Sequence, residues 1–135
     1  MMKSLTIACS INRPPSEVYQ FASNPANLPK WIRSFCLSVK QSEGAWLMET
    51  ATGCIEIQFV PANEFGVLDH VVKLADGQSI RNSMRVVPNG DGSEVMFTLL
   101  QLPEMNERQF VKDVAMVETD LLTLKDVLEG GESVD

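Results

Sequence analysis

The chain has 135 residues, of which 44% are hydrophobic and 21% charged, an ordinary composition for one globular domain. These values exclude an intrinsically disordered chain, a coiled coil and a collagen-like repeat. No apolar run reaches the roughly 18 residues of a membrane span. We therefore expect a single domain over residues 1–135 that does not insert into membranes.

The formal net charge of −7 is concentrated near the end of the chain. Residues 104–135 hold nine acidic and three basic side chains, whereas the charges of the preceding residues nearly balance. An acidic segment repels phosphate backbones and anionic lipid headgroups. We therefore expect no nucleic-acid partner and no binding to membrane surfaces.

Cys9, Cys36 and Cys54 are an odd number of cysteines, and their spacing is not that of a metal site. Only one histidine is available to join them, so the sequence predicts neither a disulfide framework nor a zinc site. It contains no cofactor motif, and none is assigned. Three thiols without a recognisable export signal favour a reducing cytoplasm as the location.

The first part of the chain predicts a strand followed by two short helices. Apolar and polar residues alternate over residues 5–11, which is the period of a half-buried strand. Pro14-Pro15 ends this strand and favours a helix start, and Asn24-Pro25 begins a second helix with an asparagine cap. Turn residues then separate six further predicted strands, around residues 35–40, 46–50, 55–59, 67–74, 80–87 and 95–99.

A long amphipathic helix is predicted at the end of the chain. Asn106 and Gln109 form a capping-box pattern at its start, and Gly130-Gly131 is its expected end. We place its acidic residues mainly on the solvent face. Its apolar residues recur at spacings of three and four and form one stripe, which comprises Phe110, Val114, Val117, Leu121, Leu124 and Leu128.

This order of elements predicts an α+β fold in which a curved antiparallel sheet wraps around the last helix. A sheet with one apolar face needs a cover, and the last helix carries the only long apolar stripe in the sequence. A cystatin-like cone of similar composition would place its long helix before the sheet. A twisted sheet curled around one helix leaves a space that side chains do not have to fill.

The motifs that carry a family resemblance are Pro14-Pro15-Ser16-Glu17-Val18-Tyr19, Asn24-Pro25, Leu28-Pro29-Lys30-Trp31, Gly66-Val67-Leu68-Asp69-His70 and Arg85-Val86-Val87-Pro88-Asn89-Gly90. Together with the first strand and the last helix they resemble the SRPBCC (START-like) superfamily, near its polyketide cyclase/dehydrase branch. The resemblance implies a helix-grip fold, with about seven strands around a long C-terminal helix, two short helices after strand 1, and an apolar cavity. It implies no single reaction, because the superfamily includes binders, transfer proteins, cyclases and chaperone-activating modules.

His70 is the only histidine and the only side chain expected to titrate near neutral pH. A one-sided strand would turn it inward and Asp69 outward. A three-residue turn with Gly77 in the left-handed conformation would place His70 on one face with Asn82, and Asp69 outside with Arg85. The sequence leaves open whether His70 or the Asp69/Arg85 face points into the cavity.

The candidate cavity residues are His70, Asn82, Met84, Trp31, Trp46, Met48, Phe59, Phe97 and Val117. Plain core packing is the alternative for each, since buried aromatic side chains and methionines often only fill space. Asn12 is a further candidate for an inward polar group. The sequence shows no nucleophile motif, no paired carboxylates and no phosphate-binding loop, so no catalytic residue is assigned.

We expect the protein to bind or carry a small apolar or aromatic molecule between the sheet and the last helix. One alternative is a polyketide cyclase-like enzyme, which needs a titrating group at the reacting atom. Another is a protein–protein module of the type that activates a chaperone ATPase. The sequence specifies neither the ligand nor the oligomeric state.

The size of the cavity has an energetic limit. A sealed, dry apolar void of about 300 Å³ would cost up to about 7 kcal/mol, which is comparable with the whole stability of a domain. A large dry vacancy is therefore not expected in so short a chain. We expect the free protein to hydrate its cavity, to narrow it with methionines or to retain an apolar molecule.

Overall fold

The computed structural model describes residues 1–130, which form one seven-stranded antiparallel sheet and three α-helices. The strands are β1 (Ser4–Ile11), β2 (Ser38–Ser42), β3 (Ala45–Thr50), β4 (Gly53–Phe59), β5 (His70–Lys73), β6 (Ser79–Asn89) and β7 (Gly92–Leu100). The helices are α1 (Pro15–Ala22), α2 (Leu28–Trp31) and α3 (Glu107–Gly130), with a 3-10 turn at Pro25–Asn27 before α2. The order in the sheet is β1-β7-β6-β5-β4-β3-β2, so the first strand pairs with the last.

The architecture predicted from the sequence is confirmed, with a curved antiparallel sheet, a long C-terminal helix and short helices after strand 1. Asn106 caps α3, since its side chain accepts the backbone N–H of Gln109 at 2.8 Å. Only this half of the capping box forms, because the Gln109 amide donates to Asp113 instead, at 2.8 Å. Gly131, at the expected end of the helix, lies outside the described residues. No helix within residues 1–130 is long and apolar enough to cross a membrane.

The core lies between the concave face of the sheet and the helices. Val18 and Ala22 of α1 are fully buried, as are Leu121 and Leu124 of α3. They share one cluster with inward-facing sheet residues, among them Ile11, Met48, Ile57, Met84, Val95 and Phe97. Helix α1 packs over β6 and β7, and α3 lies along β1 and against β7 and α2. The helices therefore cover the β1–β7–β6 side of the sheet most closely.

Several strand boundaries differ from the sequence prediction. β2 begins at Ser38 because the chain forms turns after α2, in which the Cys36 N–H donates to the Ile32 carbonyl at 2.9 Å. β6 continues through Asn89, so only two residues connect it to β7. β5 is shorter than predicted, because Val67 forms only an isolated bridge with the facing strand.

Two side chains cause the interruption of β5 by replacing ladder bonds at Leu68. The His70 ring bonds to the Leu68 carbonyl oxygen, and the Asp69 carboxylate accepts the Met84 backbone N–H at 2.9 Å. The Leu68 N–H still donates to the Met84 carbonyl at 2.8 Å. The interruption therefore leaves the register unchanged.

The register between β5 and β6 is the one that the three-residue turn predicted. His70 pairs with Asn82, Val72 pairs with Ile80, and Gly77 has a left-handed φ of +93°. Because paired residues project on the same face of a sheet, His70 and Asn82 lie side by side on the concave face.

Among the glycines of the strands and turns from Gly44 to Gly92, Gly66 is the one at which a side chain fits least. Its φ is +72°, and a Cβ atom there would overlap the carbonyl oxygen of Val86. We expect Gly66→Ala to lower the free energy of unfolding by more than about 2 kcal/mol, because the strain of a left-handed alanine adds to the clash of its Cβ with the backbone. Urea titration measures the loss. Gly90→Ala is the control, with a φ of +61° and nothing within 4 Å of its Cβ, and should lose only about 1 kcal/mol. Equal losses would contradict the close approach.

Candidate functional site

A cavity of about 440 Å³ lies between α3 and the concave face of the sheet. Its apolar lining includes Met48, Ile57, Phe59, Val72, Phe97 and Leu99 from the sheet, Met116, Val117 and Leu121 from α3, and Trp31, Ile32 and Phe35 around α2. Phe35 and Leu100 also line it and stay 38% and 40% exposed, so the cavity opens to solvent. Its volume falls within the roughly 300–1,000 Å³ typical of ligand pockets.

The volume exceeds what a closed void in so small a domain would allow. The penalty of about 24 cal/mol per Å³ applies to a sealed apolar void, and an open cavity bears it only in part. An open cavity of this volume agrees with the expectation from the sequence, which concerned only a large dry vacancy. That the free protein hydrates this cavity, or retains an apolar molecule in it, stays a prediction.

The sheet wall contains one row of aligned side chains. Phe59, His70 and Asn82 pair with one another across β4, β5 and β6. The centroid of the His70 ring lies 5.0 Å from that of Phe59 and 6.0 Å from that of Phe97. The imidazole is therefore flanked by two aromatic rings.

His70 is neutral and has a defined tautomer. Its Nδ1 lies 3.0 Å from the Leu68 carbonyl oxygen, and since a carbonyl only accepts, Nδ1 carries the hydrogen. Nε2 then accepts an N–H from the Asn82 amide at 3.3 Å. Burial lowers the pKa of His70, and the smaller opposing effects come from the Leu68 bond and the Asp69 charge. A neutral imidazole with both nitrogens bonded orients its neighbours rather than transferring a proton.

Asn82 is the polar group of the sheet wall that keeps unused bonding capacity. It is half-buried, and in the part of the chain that the structure describes its side chain bonds only to His70. The second amide N–H and the carbonyl oxygen are thus available to a molecule in the cavity. The bond to His70 fixes the orientation of this amide.

Two carboxylates line the cavity from α3. Asp120 is only 7% exposed and accepts the Ser34 N–H at 3.2 Å and the Ser34 hydroxyl at 2.6 Å. Burial raises the pKa of Asp120, and the two bonds from Ser34 oppose that effect. Asp113 is half-buried. Within residues 1–130 neither carboxylate forms an ion pair.

Neither carboxylate was identified from the sequence as a cavity residue, because the acids of this helix are predicted to lie mainly on the solvent face. That placement was wrong for Asp113 and Asp120. Asp120 follows Val117 by three residues and precedes Leu124 by four, which is the spacing of the apolar stripe. Its position on the helix could therefore have identified it.

Seven of the nine candidate residues line the cavity, namely His70, Asn82, Trp31, Met48, Phe59, Phe97 and Val117. Trp31 contributes its ring only, since its Nε1 is buried and has no hydrogen-bond acceptor among the described residues. Met84 faces inward but is buried where α1 packs over β6. Trp46 lines a separate depression beside β3, β4 and the segment after α1. Asn12 is exposed.

These findings correct the placement of Met84 and Trp46 in the cavity. Both lie on the concave face, as their strand parity predicted. Parity identifies the face of a strand but not which element covers each position along it. The short helices cover that face near Met84 and Trp46, and leave it open near His70.

The Asp69/Arg85 face points away from the cavity. The Asp69 carboxylate pairs with the Arg85 guanidinium, with 3.0 Å between Oδ2 and Nη2. The bond from Arg85 is the main cause that lowers the pKa of Asp69. His70 and Asp69 therefore lie on opposite sides of the strand, and the adjacent pair is not a catalytic dyad.

The lowered pKa of His70 makes stability depend on pH. The unfolded chain binds this proton near pH 6.5 and the folded protein only at lower pH, so the stabilisation is complete above about pH 6.5 and is lost as the pH falls. We expect the free energy of unfolding to decrease by up to about 1.4 kcal/mol more in the unmodified protein than in His70→Gln between about pH 7.5 and pH 5.5. Urea titrations at both pH values measure this difference.

His70→Gln is the control for the other titrating groups. Asp120 and the other carboxylates are present in both proteins, so their contributions to the pH dependence cancel in the comparison. Equal decreases in the two proteins would show that His70 is not held neutral by the fold.

No protein-family model matches the chain, and no curated protein is significantly similar to it in sequence. Solved structures match it over nearly its whole length. The Aha1 dimer from Colwellia psychrerythraea has a TM-score of 0.76 at 16% identity, over 95% of this chain and 97% of that one. CalU16 from Micromonospora echinospora has a TM-score of 0.68 at 17% identity, over 96% and 76%. Ara h 8.0201 has a TM-score of 0.70 at 9% identity, over 96% and 99%. The chain thus shares the helix-grip fold of these structures.

Proposed function

We propose that the protein binds a small apolar or aromatic molecule in the cavity between α3 and the sheet. The observation that carries this proposal is the cavity of about 440 Å³, whose mainly apolar walls include only a few polar groups. Sites for small molecules are typically concave and apolar, with few polar groups that fix the orientation of the ligand.

The two walls would contribute differently to binding. On the sheet, the bond from His70 pre-orients the Asn82 amide, which would donate to or accept from one polar atom of the ligand. On α3, Met116, Val117 and Leu121 offer an apolar surface to its hydrophobic body. Methionine side chains adapt to irregular shapes, which suits ligands that differ in outline.

Cyclase-like turnover is a second candidate, and Asp120 is the observation that favours it. A buried carboxyl group with a raised pKa at a cavity wall is suited to hold a proton near a reacting atom. His70 does not suit that role, because it is neutral and both its nitrogens are bonded. Binding stays the primary proposal, since Ser34 already bonds to both oxygens of Asp120.

Filling the cavity should weaken binding. Val117 lines it from α3, and Val117→Phe adds bulk there without removing a hydrogen bond. We expect the unmodified protein to bind the neutral fluorescent probe N-phenyl-1-naphthylamine saturably, and Val117→Phe to raise its Kd about tenfold or more, about 1.4 kcal/mol. Fluorescence titration measures the Kd, and the melting temperature should rise with probe concentration.

Val111→Phe is the matched control, because it makes the same change on the same helix at a position that is 56% exposed and outside the cavity lining. Its Kd should equal that of the unmodified protein. Absence of saturable binding to the unmodified protein, or an equal loss in both variants, would reject the cavity as the binding site.

A further inference from the structure

The charges around the cavity are unequal. Asp113 and Asp120 line it from α3, and among the described lining residues Arg81 is the one cationic side chain. Arg81 is exposed, so water and salt screen its charge, whereas Asp120 is buried. His70 adds no positive charge because burial keeps it neutral. The cavity therefore presents an excess of negative charge to a ligand.

Asp120 retains bonding capacity on the cavity wall. Its hydrogen bonds from Ser34 use one site on each carboxylate oxygen. A carboxylate offers about four lone-pair sites, so both oxygens can accept a further bond. Within residues 1–130 no lysine or arginine pairs with this buried group. An unpaired buried charge is unfavourable, and a cation in the cavity would relieve that cost.

The two carboxylates also enclose an apolar stretch of helix. Asp113 and Asp120 are seven residues apart, which corresponds to about 10.5 Å along a helix axis. Met116 and Val117 line the cavity between them. A molecule whose apolar body lies against these two side chains would bring its polar end close to one of the carboxylates.

We propose that the cavity prefers ligands whose polar group is a protonated amine and discriminates against carboxylates such as fatty acids. This inference rests on the proposed binding function and specifies its ligand class. An ammonium group donates up to three hydrogen bonds and would pair with Asp120, whereas a ligand carboxylate would meet like charges. The net charge of −7 also attracts cations to the molecule as a whole.

Three probes with the same aromatic body and different polar groups test the preference: naphthylethylamine, naphthylethanol and naphthylacetate. Isothermal titration at neutral pH and physiological salt gives a Kd for each with the full chain. We expect the amine to bind at least about tenfold more tightly than the carboxylate, with the alcohol between them.

Two aspartates of α3 provide a matched pair of variants. Asp120→Asn keeps the size of the side chain and removes the charge, and its amide oxygen can still accept the Ser34 N–H while its amide N–H donates to the Ser34 hydroxyl. The amine and alcohol Kd values should then come within about threefold. Asp126→Asn makes the same change on the exposed face and should leave the preference unchanged. Should Asp120→Asn fail to fold, Asp113→Asn tests the half-buried carboxylate, with a smaller loss expected.

The outcomes separate this inference from the binding function on which it rests. If the alcohol binds and the carboxylate binds as tightly as the amine, the charge preference is wrong and the binding function stands. If Asp126→Asn changes the preference as much as Asp120→Asn, the preference comes from net charge and not from the cavity. If none of the three probes binds, both the preference and the proposed function are overturned.

Discussion

A single helix about 10–12 Å wide covers a sheet whose seven strands would span about 29 Å if they lay flat. The sheet curls around α3, and α1 and α2 cover further parts of its concave face. Closest packing of α3 occurs along β1 and α2, which leaves β4 and β5 facing a space. Phe59 and Phe97 narrow this space without filling it. The cavity is therefore a consequence of covering a wide sheet with few helices, and the lining residues determine what it can hold.

The two walls of the cavity differ in how their polar groups are held. On the sheet, the interruption of β5 turns the Leu68 carbonyl toward the His70 ring, and the ring in turn fixes the Asn82 amide. This wall is neutral and its geometry is defined by a chain of bonds that begins at the backbone. On α3 the polar groups are charged, and a single residue, Ser34, holds the buried one. Orientation is thus a property of the sheet wall, and charge is a property of the helix wall.

Most of the fold was predictable, because it follows from local patterns. Strand parity and the Gly77 turn predicted that His70 and Asn82 share a face, and the register agrees. Strand parity could not predict where the cavity lies along that face, because this depends on where α1 and the following segment pack. For this reason Met84 and Trp46 were wrongly placed in the cavity. The start of β5 depends on side chains that replace backbone hydrogen bonds between the strands. The alternation of apolar and polar residues does not reveal such a replacement. Acidic residues on a helix ordinarily face water, and this expectation concealed Asp120.

Asp120 is also the residue at which the helix departs from what packing alone would favour. Leu121, Leu124 and Leu128 are buried in the core, and an apolar residue at position 120 would extend their surface at no cost in desolvation. A buried carboxylate costs several kcal/mol before its hydrogen bonds are counted, and the two bonds from Ser34 offset only part of that cost. Leu124 and Leu128, which follow Asp120, anchor the helix in the core, and this lets the part of α3 that lines the cavity carry an unfavourable group. Departures from local preference tend to occur at functional sites, and this one lies on the wall of the cavity between α3 and the sheet. The stability that α3 loses at Asp120 is thus confined to the part of the helix where a bound molecule could restore it.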